Sequence, residues 1–154
     1  MVLRYLPFAL SLGFLSWMLG LIVTGLIRNT TFYRRHLTQL NFIRSERLNR
    51  LLGIGVVRWA VKNTPLRIFN PKLAIKGRPD REGLVLLRAE MTAAEVGHLV
   101  GFVAILPFVA VKFMRDEPAF GLTIFLADVL MNLSPALLQQ WNKRRLDRVL
   151  EKRA

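Results

Sequence analysis

The chain has 154 residues, which is the length of a single domain. Hydrophobic residues make up 53% of it and the net charge at pH 7 is +13, so its partners are expected to be lipid or a polyanion. Cysteine is absent, which excludes disulfides, thiolate metal sites and a cysteine nucleophile. The apolar residues are concentrated in long runs, and this pattern favours a membrane protein.

The first apolar run, from Tyr5 to Ile27, contains no charged residue. As a helix it would be about 34 Å long, which is enough to cross a bilayer. A secretory signal peptide is the competing interpretation, because Arg4 precedes the run. We favour a retained span over residues 5–27, since the run is longer than a typical signal core and no clear cleavage site of small residues follows it.

The segment from 28 to 95 is too long, and in places too apolar, for a simple linker. Thr30 to Leu51 alternates arginines with apolar residues at helical spacing, which predicts an amphipathic helix. Leu52 to Val61 is too short to cross a bilayer and predicts an interfacial or re-entrant piece, which Asn63-Thr64-Pro65 ends. Leu84 to Gly97 predicts a helix that leads into the next span.

Two further apolar runs predict spans over residues 96–113 and 119–138. Pro107 lies inside the first of them, where lipid-embedded helices tolerate a kink. The residues between the runs, around Lys112 to Pro118, suffice only for a turn, so these two helices should form an antiparallel hairpin. The sequence thus predicts an all-α integral membrane fold: one domain over residues 1–154, with about three transmembrane helices plus amphipathic or interfacial helices.

The positive charges indicate an orientation. Fourteen of the 23 Lys and Arg residues lie between Arg28 and Arg88, and six more follow Leu138. The positive-inside rule therefore predicts that segment 28–95 and the tail 139–154 are cytoplasmic, with the N-terminus outside, in a bacterial inner or plasma membrane. Basic residues interleaved with aromatic ones also occur on nucleic-acid surfaces. Arginines beside apolar helices usually reach lipid headgroups, so we expect a lipid bilayer as partner and no nucleic acid.

Glu95 and His98 are three residues apart at the start of the second span, and on a helix they would share one face. Acyl transfer to a hydroxyl needs a base, and an imidazole suits that role while a carboxylate can orient it. The alternative is structural: His98 at the membrane interface, with Glu95 paired to an arginine. Glu and His at this spacing also occur in helical metal sites, but no second helix repeats the motif, so we expect no metal.

A second group of polar residues follows the third span. Asn132 and Gln139 are seven residues apart and would share a helix face, with Asn142 three residues further on. Single amides at membrane depth most often bond a neighbouring helix, whereas a row that ends near Arg145 favours a lined pocket for substrate. Asp128, one turn before Asn132, extends the same polar stripe or partners another span.

At these residues the chain resembles the family of glycosyl-4,4'-diaponeurosporenoate acyltransferases, small bacterial membrane proteins that acylate a glycosylated C30 carotenoid. One patch is Arg88-Ala-Glu-Met-Thr-Ala-Ala-Glu-Val-Gly-His98, in which an Ala-Glu pair precedes a histidine by two residues. Another is Asn132-Leu-Ser-Pro135 followed by Gln139-Gln-Trp-Asn-Lys-Arg-Arg145, similar to the family's Asn-x-x-Pro and Gln-Arg-Tyr-Asn-Arg signature. A weaker patch is Leu52-Gly-Ile54 with Arg58, Lys62 and Pro65.

The resemblance implies a membrane O-acyltransferase that moves a fatty acyl chain onto a sugar hydroxyl of a glycosylated carotenoid or related glycolipid. Glu95 and His98 would be its catalytic residues, and Asn132, Gln139, Asn142 and Arg145 would bind substrate. No cofactor is expected to be bound, and acyl-CoA or an acyl-carrier protein would be the donor substrate. The alternatives are a non-catalytic small membrane subunit or lipid-binding scaffold, and an oligomeric transporter that uses the polar stripe of the third helix.

Overall fold

The computed structural model describes residues 4–43, 45, 47, 54–63 and 80–152. Within these residues every regular element is helical, in the order α1 (Leu6–Ile27), α2 (Ile54–Asn63), α3 (Arg81–Met114), α4 (Pro118–Asp128) and α5 (Ser134–Glu151). Short π-helical segments lie at Tyr33–Leu37 and, joining α4 to α5, at Val129–Leu133. Helices α1, α3 and the continuous rod Pro118–Glu151 are each long and apolar enough to cross a membrane. The predicted all-α membrane fold with three spans is confirmed.

Helix α3 joins two predicted elements into one. It begins where the Asp80 side chain accepts a 2.8 Å hydrogen bond from the Gly83 backbone N–H, and it continues through Pro107 to Met114. Its 34 residues measure about 51 Å, well beyond the roughly 30 Å of a hydrocarbon layer. The first turns of α3 therefore extend past the apolar layer and pack with the last turns of α5 through a cluster of leucines and Met91.

Helices α1 and α3 run antiparallel and approach closely because small residues line their contact. A Cβ placed on Gly20 would lie only 2.0 Å from the carbonyl oxygen of Gly97. The buried residues of α1 are all small and recur every three or four positions: Ala9, Gly13, Ser16, Gly20 and Thr24. Helices in lipid commonly associate through small residues at this spacing. Large apolar side chains on the other faces, such as Leu15 and Ile22, are exposed as a lipid environment requires.

The rod formed by α4 and α5 widens just before Pro135. The backbone N–H of Ser134 bonds the carbonyl of Val129, five residues back instead of four. Pro135 has no N–H and its ring crowds the carbonyl four residues earlier, which is a recognised cause of such irregularity. The wide turn takes in one extra residue, so the faces of the rod before and after it are out of α-helical phase.

The segment between α1 and α2 differs from its prediction. A helix running unbroken from Thr30 to Leu51 is wrong, since the helical turn ends at Leu37 and residues 40–43 are not helical. Residues 38–42 bond instead to α5 and, through the Thr38 carbonyl, to Arg88 of α3 at 3.5 Å. In the piece predicted to be interfacial or re-entrant, residues 54–63 form helix α2, which packs on α5 through Ile54, Leu137 and Leu138. Its position at a membrane surface stays a prediction. The predicted features at Leu48, Leu51 to Gly53, and 64 to 79 lie outside the described residues.

Candidate functional site

Polar side chains are buried in two clusters near one end of the bundle. We call this the basic end, because residues 28–43 and the charged turns of α3 and α5 lie there. The Glu95 cluster consists of Glu95, Gln140 and Lys143. The Asn132 cluster consists of Ser16, Asp128 and Asn132, with His98 beside them.

Glu95 is fully buried, and both of its carboxylate oxygens have a partner. Gln140 Nε2 donates to Oε1 at 2.8 Å, and the Lys143 ammonium forms an ion pair with Oε2. Lys143 is only 3% exposed, so the pair is removed from water on both sides. Tyr33 is buried close by: burial raises the pKa of its phenol, and the charge of Glu95 raises it further. The Tyr33 hydroxyl therefore keeps its proton.

The segment Thr38–Phe42 is bonded onto this cluster from the basic end. The Phe42 backbone N–H donates to Gln140 Oε1 at 3.0 Å, and the Thr38 carbonyl accepts from Lys143 at 3.5 Å. Arg144 donates to Asn41 Oδ1 at 2.7 Å. These backbone and side-chain contacts replace the helix predicted over this part of the chain.

A polar cavity of about 480 Å³ opens between this segment and helices α3 and α5. The two buried residues Gln140 and Lys143 line it, together with Arg88, Arg144 and Asp147. Arg88 and Asp147 form an ion pair across the wall, with Nε–Oδ1 at 2.6 Å. The buried Glu95–Lys143 pair therefore reaches this cavity through Lys143.

The Asn132 cluster lies deeper and joins three helices. Asn132 Nδ2 donates to Ser16 Oγ of α1 at 2.9 Å and to Asp128 Oδ1 at 2.8 Å. Asn132 and Asp128 are fully buried and Ser16 is 5% exposed. A Cβ on Gly101 of α3 would lie 2.8 Å from Asn132 Oδ1, so the amide occupies the space that the glycine leaves.

The His98 imidazole is half-buried and lies next to the Asn132 side chain. The contact falls short of full hydrogen-bond geometry: within the described part of the chain, neither Nδ1 of His98 nor Oδ1 of Asn132, both buried atoms, has a hydrogen-bond partner. Such contacts are often long in a site without substrate and tighten when it binds. The predicted pairing of His98 with Glu95 is not formed, because the Glu95 carboxylate is held by Lys143 and Gln140.

The other predicted binding residues lie on different faces of α5. Gln139 is buried, and its Oε1 has no hydrogen-bond partner among the described residues. Asn142 is half-buried. Arg145 is exposed and lies over the Trp141 ring, 4.8 Å from its centre, with Arg58 of α2 at 5.1 Å from the same centre. The structure brings together His98 and Asn132 but does not bring Arg145 to them.

Sequence reasoning missed Gln140, Lys143 and Ser16 as members of these clusters. The face shared by Asn132 and Gln139 was derived for an unbroken α-helix, in which two turns take about seven residues. The wide turn at Val129–Leu133 adds one residue, so the residue that faces Glu95 is Gln140. Pro135 was the available signal for that shift. For Ser16 the signal was its place in the periodic row of small residues on α1.

Depth along the helices places both clusters near one boundary of an apolar layer. His98 lies 16 residues before Met114, which is about 24 Å along α3, and Glu95 lies about 28 Å from the same point. Asn132 lies about 21 Å from Pro118 along the rod. If the turn after Met114 lies at one surface of a layer roughly 30 Å thick, His98 and Asn132 lie just inside the other surface.

The family model of glycosyl-4,4'-diaponeurosporenoate acyltransferases matches residues 29–152. The chain belongs to this family. The match covers both clusters except Ser16, which lies in α1 before the matched region. Curated proteins and solved structures give no significant match. Among the described residues, no three His, Asp or Glu side chains are grouped as metal ligands would be, and the absence of a bound metal or cofactor stays a prediction.

Proposed function

We propose that this protein is a membrane O-acyltransferase that moves a fatty acyl chain from a thioester donor onto a sugar hydroxyl of a glycosylated carotenoid or related glycolipid. The observation that carries the proposal is the half-buried His98. Its Nδ1 lacks a hydrogen-bond partner in the described structure of a chain that belongs to an acyltransferase family. With the turn after Met114 at one surface of the bilayer, the ring would lie just inside the other surface. A lipid-soluble acceptor and a water-soluble donor would both reach such a boundary.

His98 is the general base of the proposed reaction. Asn132 Nδ2 uses both hydrogens on Ser16 and Asp128, so only its oxygen is left to meet the imidazole. An oxygen accepts a hydrogen bond, which favours a His98 N–H directed at Oδ1 and leaves the lone pair of the other ring nitrogen free. That lone pair is the feature a base needs.

The proposed step balances without a cofactor. The sugar hydroxyl oxygen attacks the thioester carbonyl carbon while its proton passes to His98. The new C–O ester bond forms, the C–S bond breaks, and the proton leaves with the thiolate as a free thiol. The unpartnered buried Oε1 of Gln139 is a suitable acceptor for a second sugar hydroxyl, and Asn142 lies half-buried one turn further on, where it can contribute to sugar binding.

The donor is proposed to enter from the basic end. The cavity there is lined by three basic residues, Arg88, Lys143 and Arg144, and by two acidic ones, Asp147 and Glu151. The excess of positive charge suits the phosphates shared by coenzyme A and the prosthetic arm of an acyl-carrier protein, which would compete with the carboxylates for these cations. The basic end then lies in the cytoplasm of a bacterial cell and the N-terminus lies outside, in agreement with the positive-inside rule. Arg145 on the Trp141 ring would contact headgroups or the donor at the same surface.

Glu95 supports the site from one turn away. Its ion pair with Lys143 joins α3 to α5 immediately beside His98, so the pair fixes the distance between the base and the polar residues of α5. In this role Glu95 is a positioning residue and does not contact the reacting atoms.

The test is ester formation by His98→Ala. Cells that supply the glycosylated carotenoid are compared with and without the protein, and their pigments and glycolipids are profiled by mass spectrometry. We expect the acylated product with the parental chain and its loss with His98→Ala, at equal protein in the membrane fraction. His36→Ala is the matched control, because the other histidine of the chain lies in the π-helical turn away from the site, and it should retain product.

A parental amount of ester from His98→Ala would remove the base from the mechanism. Absence of any acylated product from the parental chain, with the donor and acceptor both present, would favour the non-catalytic alternative.

A further inference from the structure

We propose that Ser16 and Asp128 are positioning residues that determine, through the amide of Asn132, which ring nitrogen of His98 carries the proton. This arrangement is present in the protein without substrate. Its importance for catalysis rests on the proposed function, in which His98 is the base. Ser16 lies outside the region that the family model matches, so the inference adds a helix to the site.

The hydrogen bond between Ser16 and Asn132 can run in only one direction. The Ser16 hydroxyl donates its one hydrogen to the Gly13 carbonyl at 2.8 Å. Only the lone pairs of Oγ remain for Asn132, so the group 2.9 Å away must be a donor. That assigns the NH₂ of the amide to the side facing α1, on hydrogen-bond grounds alone.

Asp128 holds the same NH₂ group from a second side. Its Oδ1 accepts the other Nδ2 hydrogen of Asn132 at 2.8 Å, from one turn earlier on the same rod. A carboxyl group offers an acceptor oxygen whether or not it is ionised. Two acceptors on two different helices therefore hold the NH₂ group, and a flip of the amide would leave an oxygen facing both of them.

The oxygen Oδ1 of Asn132 faces the side of α3 that carries His98. With the NH₂ group held, the amide oxygen lies against Gly101, where a Cβ would be 2.8 Å away. Gly101 is one turn after His98 on α3, and helix side chains lean toward the N-terminus, so the space above Gly101 is the side of the helix on which the imidazole lies. His98 therefore meets an acceptor that cannot exchange for a donor.

The consequence is a single neutral tautomer. The ring nitrogen that faces Oδ1 carries the proton, and the other nitrogen has its lone pair free. If the amide could flip, its NH₂ would donate to the ring and stabilise the opposite tautomer. Removing the acceptors that hold the amide should therefore mix the two tautomers without removing any atom that touches His98.

The experiment reads the tautomer directly. The full chain is labelled with ¹⁵N-histidine and reconstituted in phosphatidylcholine vesicles, and the ring-nitrogen resonances are recorded at about pH 8.5, above the usual histidine pKa of about 6.5. The chain has two histidines, so His36→Asn assigns the signals, and in the other variants the His36 signal reports that the fold is kept. We expect one tautomer for His98 in the parental chain.

The variants separate the contribution of Asn132 from those of the two acceptors that hold its NH₂ group. Asn132→Leu and the double variant Ser16→Ala/Asp128→Leu should each show both tautomers of His98. Asp128→Asn keeps an acceptor oxygen and should keep the parental tautomer. Ser11→Ala is the matched control for Ser16→Ala, since Ser11 is exposed on the same helix, and it should match the parental chain. Turnover should fall about tenfold in Ser16→Ala, the effect of losing one neutral hydrogen bond.

A single unchanged tautomer in the double variant overturns the inference, as does an unchanged tautomer in Asn132→Leu or a mixture in the parental chain. Any of these results would leave the role of His98 as base intact, because that role is tested by the loss of ester in His98→Ala. If His98→Ala keeps its activity while the tautomers behave as expected, the proposed function fails and the positioning of the imidazole stands.

Discussion

The Glu95 cluster and the Asn132 cluster lie about one helical turn apart along α3, yet they differ in whether their buried polar atoms have partners. In the Glu95 cluster each carboxylate oxygen has a partner, and Lys143 balances the charge. In the Asn132 cluster the described structure leaves Oδ1 of Asn132, Oδ2 of Asp128 and Nδ1 of His98 without hydrogen-bond partners. Burying such atoms without partners costs free energy, which indicates that the Asn132 cluster has a functional role. The paired Glu95 cluster has the features of a structural joint, that is, a contact that holds α3 and α5 together.

The largest effect should come from breaking the buried ion pair. Glu95→Ala leaves Lys143 charged and unpaired in a buried place, which typically lowers the free energy of unfolding by about 3–5 kcal/mol. The double variant Glu95→Ala/Lys143→Ala should recover a substantial part of that loss. Chemical unfolding in detergent micelles measures both. A single variant as stable as the parental chain would mean that the pair is not a structural joint.

A substitution on α1 should disturb the Asn132 cluster and leave the Glu95 cluster intact. Gly20→Ala places a methyl group 2.0 Å from the Gly97 carbonyl oxygen, so α1 must move away from α3. Overpacking of this kind costs about 1–3 kcal/mol, and the movement carries Ser16 away from Asn132. We expect lower stability, a reduced rate of ester formation and a mixture of His98 tautomers.

Gly25→Ala is the control for this variant, because a Cβ on Gly25 meets nothing within 4 Å. It should match the parental chain in unfolding and in activity. If the two glycine variants behave alike, the close crossing of α1 and α3 does not hold the Asn132 cluster together.

Breaking the ion pair of Arg88 and Asp147, which lies at the exposed rim of the Glu95 cluster, should lower stability less. The side chains of Arg88 and Asp147 are 28% and 37% exposed, and water screens their ion pair. Arg88→Ala should therefore lower the free energy of unfolding by less than about 1 kcal/mol, and added salt should shrink the difference. Unfolding curves at low and high ionic strength check this. A loss as large as that of Glu95→Ala would show that the rim belongs to the buried joint.

The smallest effect should come from the exposed turn between α3 and α4. The hydrogen bond from Lys112 at 2.7 Å holds the pKa of Glu117 below its usual range. The folded state then binds this proton less tightly than the unfolded state, so the stabilisation is complete above the usual glutamate pKa and is lost as the pH falls through the lowered value. Glu117→Gln should reduce the loss of stability between about pH 6 and about pH 3. Identical acid sensitivity in both chains would contradict the prediction.

The sequence was sufficient for the spans because each is an apolar run whose length matches a bilayer. Tyr5 to Ile27 needed no tertiary information, and neither did the turn near Pro118. The same holds for His98 and Asn132, since ionisable and amide groups stand out within apolar runs. These features are local in the chain, and local pattern is what a sequence displays.

The partners of these residues were not predictable in the same way. Gln139 and Gln140 are adjacent and identical, and the choice between them depends on the extra residue in the turn at Val129–Leu133. In the sequence Lys143 is one of several adjacent basic residues typical of a solvated helix face, and only the packing of α3 on α5 brings Glu95 against it. The bonds of Thr38–Phe42 to α5, and that of the Thr38 carbonyl to Arg88 of α3, likewise exist only in the folded chain and compete with the helix that local pattern favours.

The wide turn at Val129–Leu133 also lets one rod present different faces before and after it. Within the apolar layer the rod must present Asp128 and Asn132 to α1 and α3, while two turns later, near the boundary of the layer, it must present Gln140 and Lys143 to Glu95. Straightening the turn into a regular α-helix of the same length would rotate everything after it by about 100°, bringing Gln139 and Asn142 toward Glu95 and carrying Lys143 outward. Deleting the extra residue would instead keep the phase, because Gln140 would then follow Asn132 by about two regular turns. Substitutions that straighten these five positions would therefore alter which side chains line the entrance of the site while the membrane anchor stays as it is.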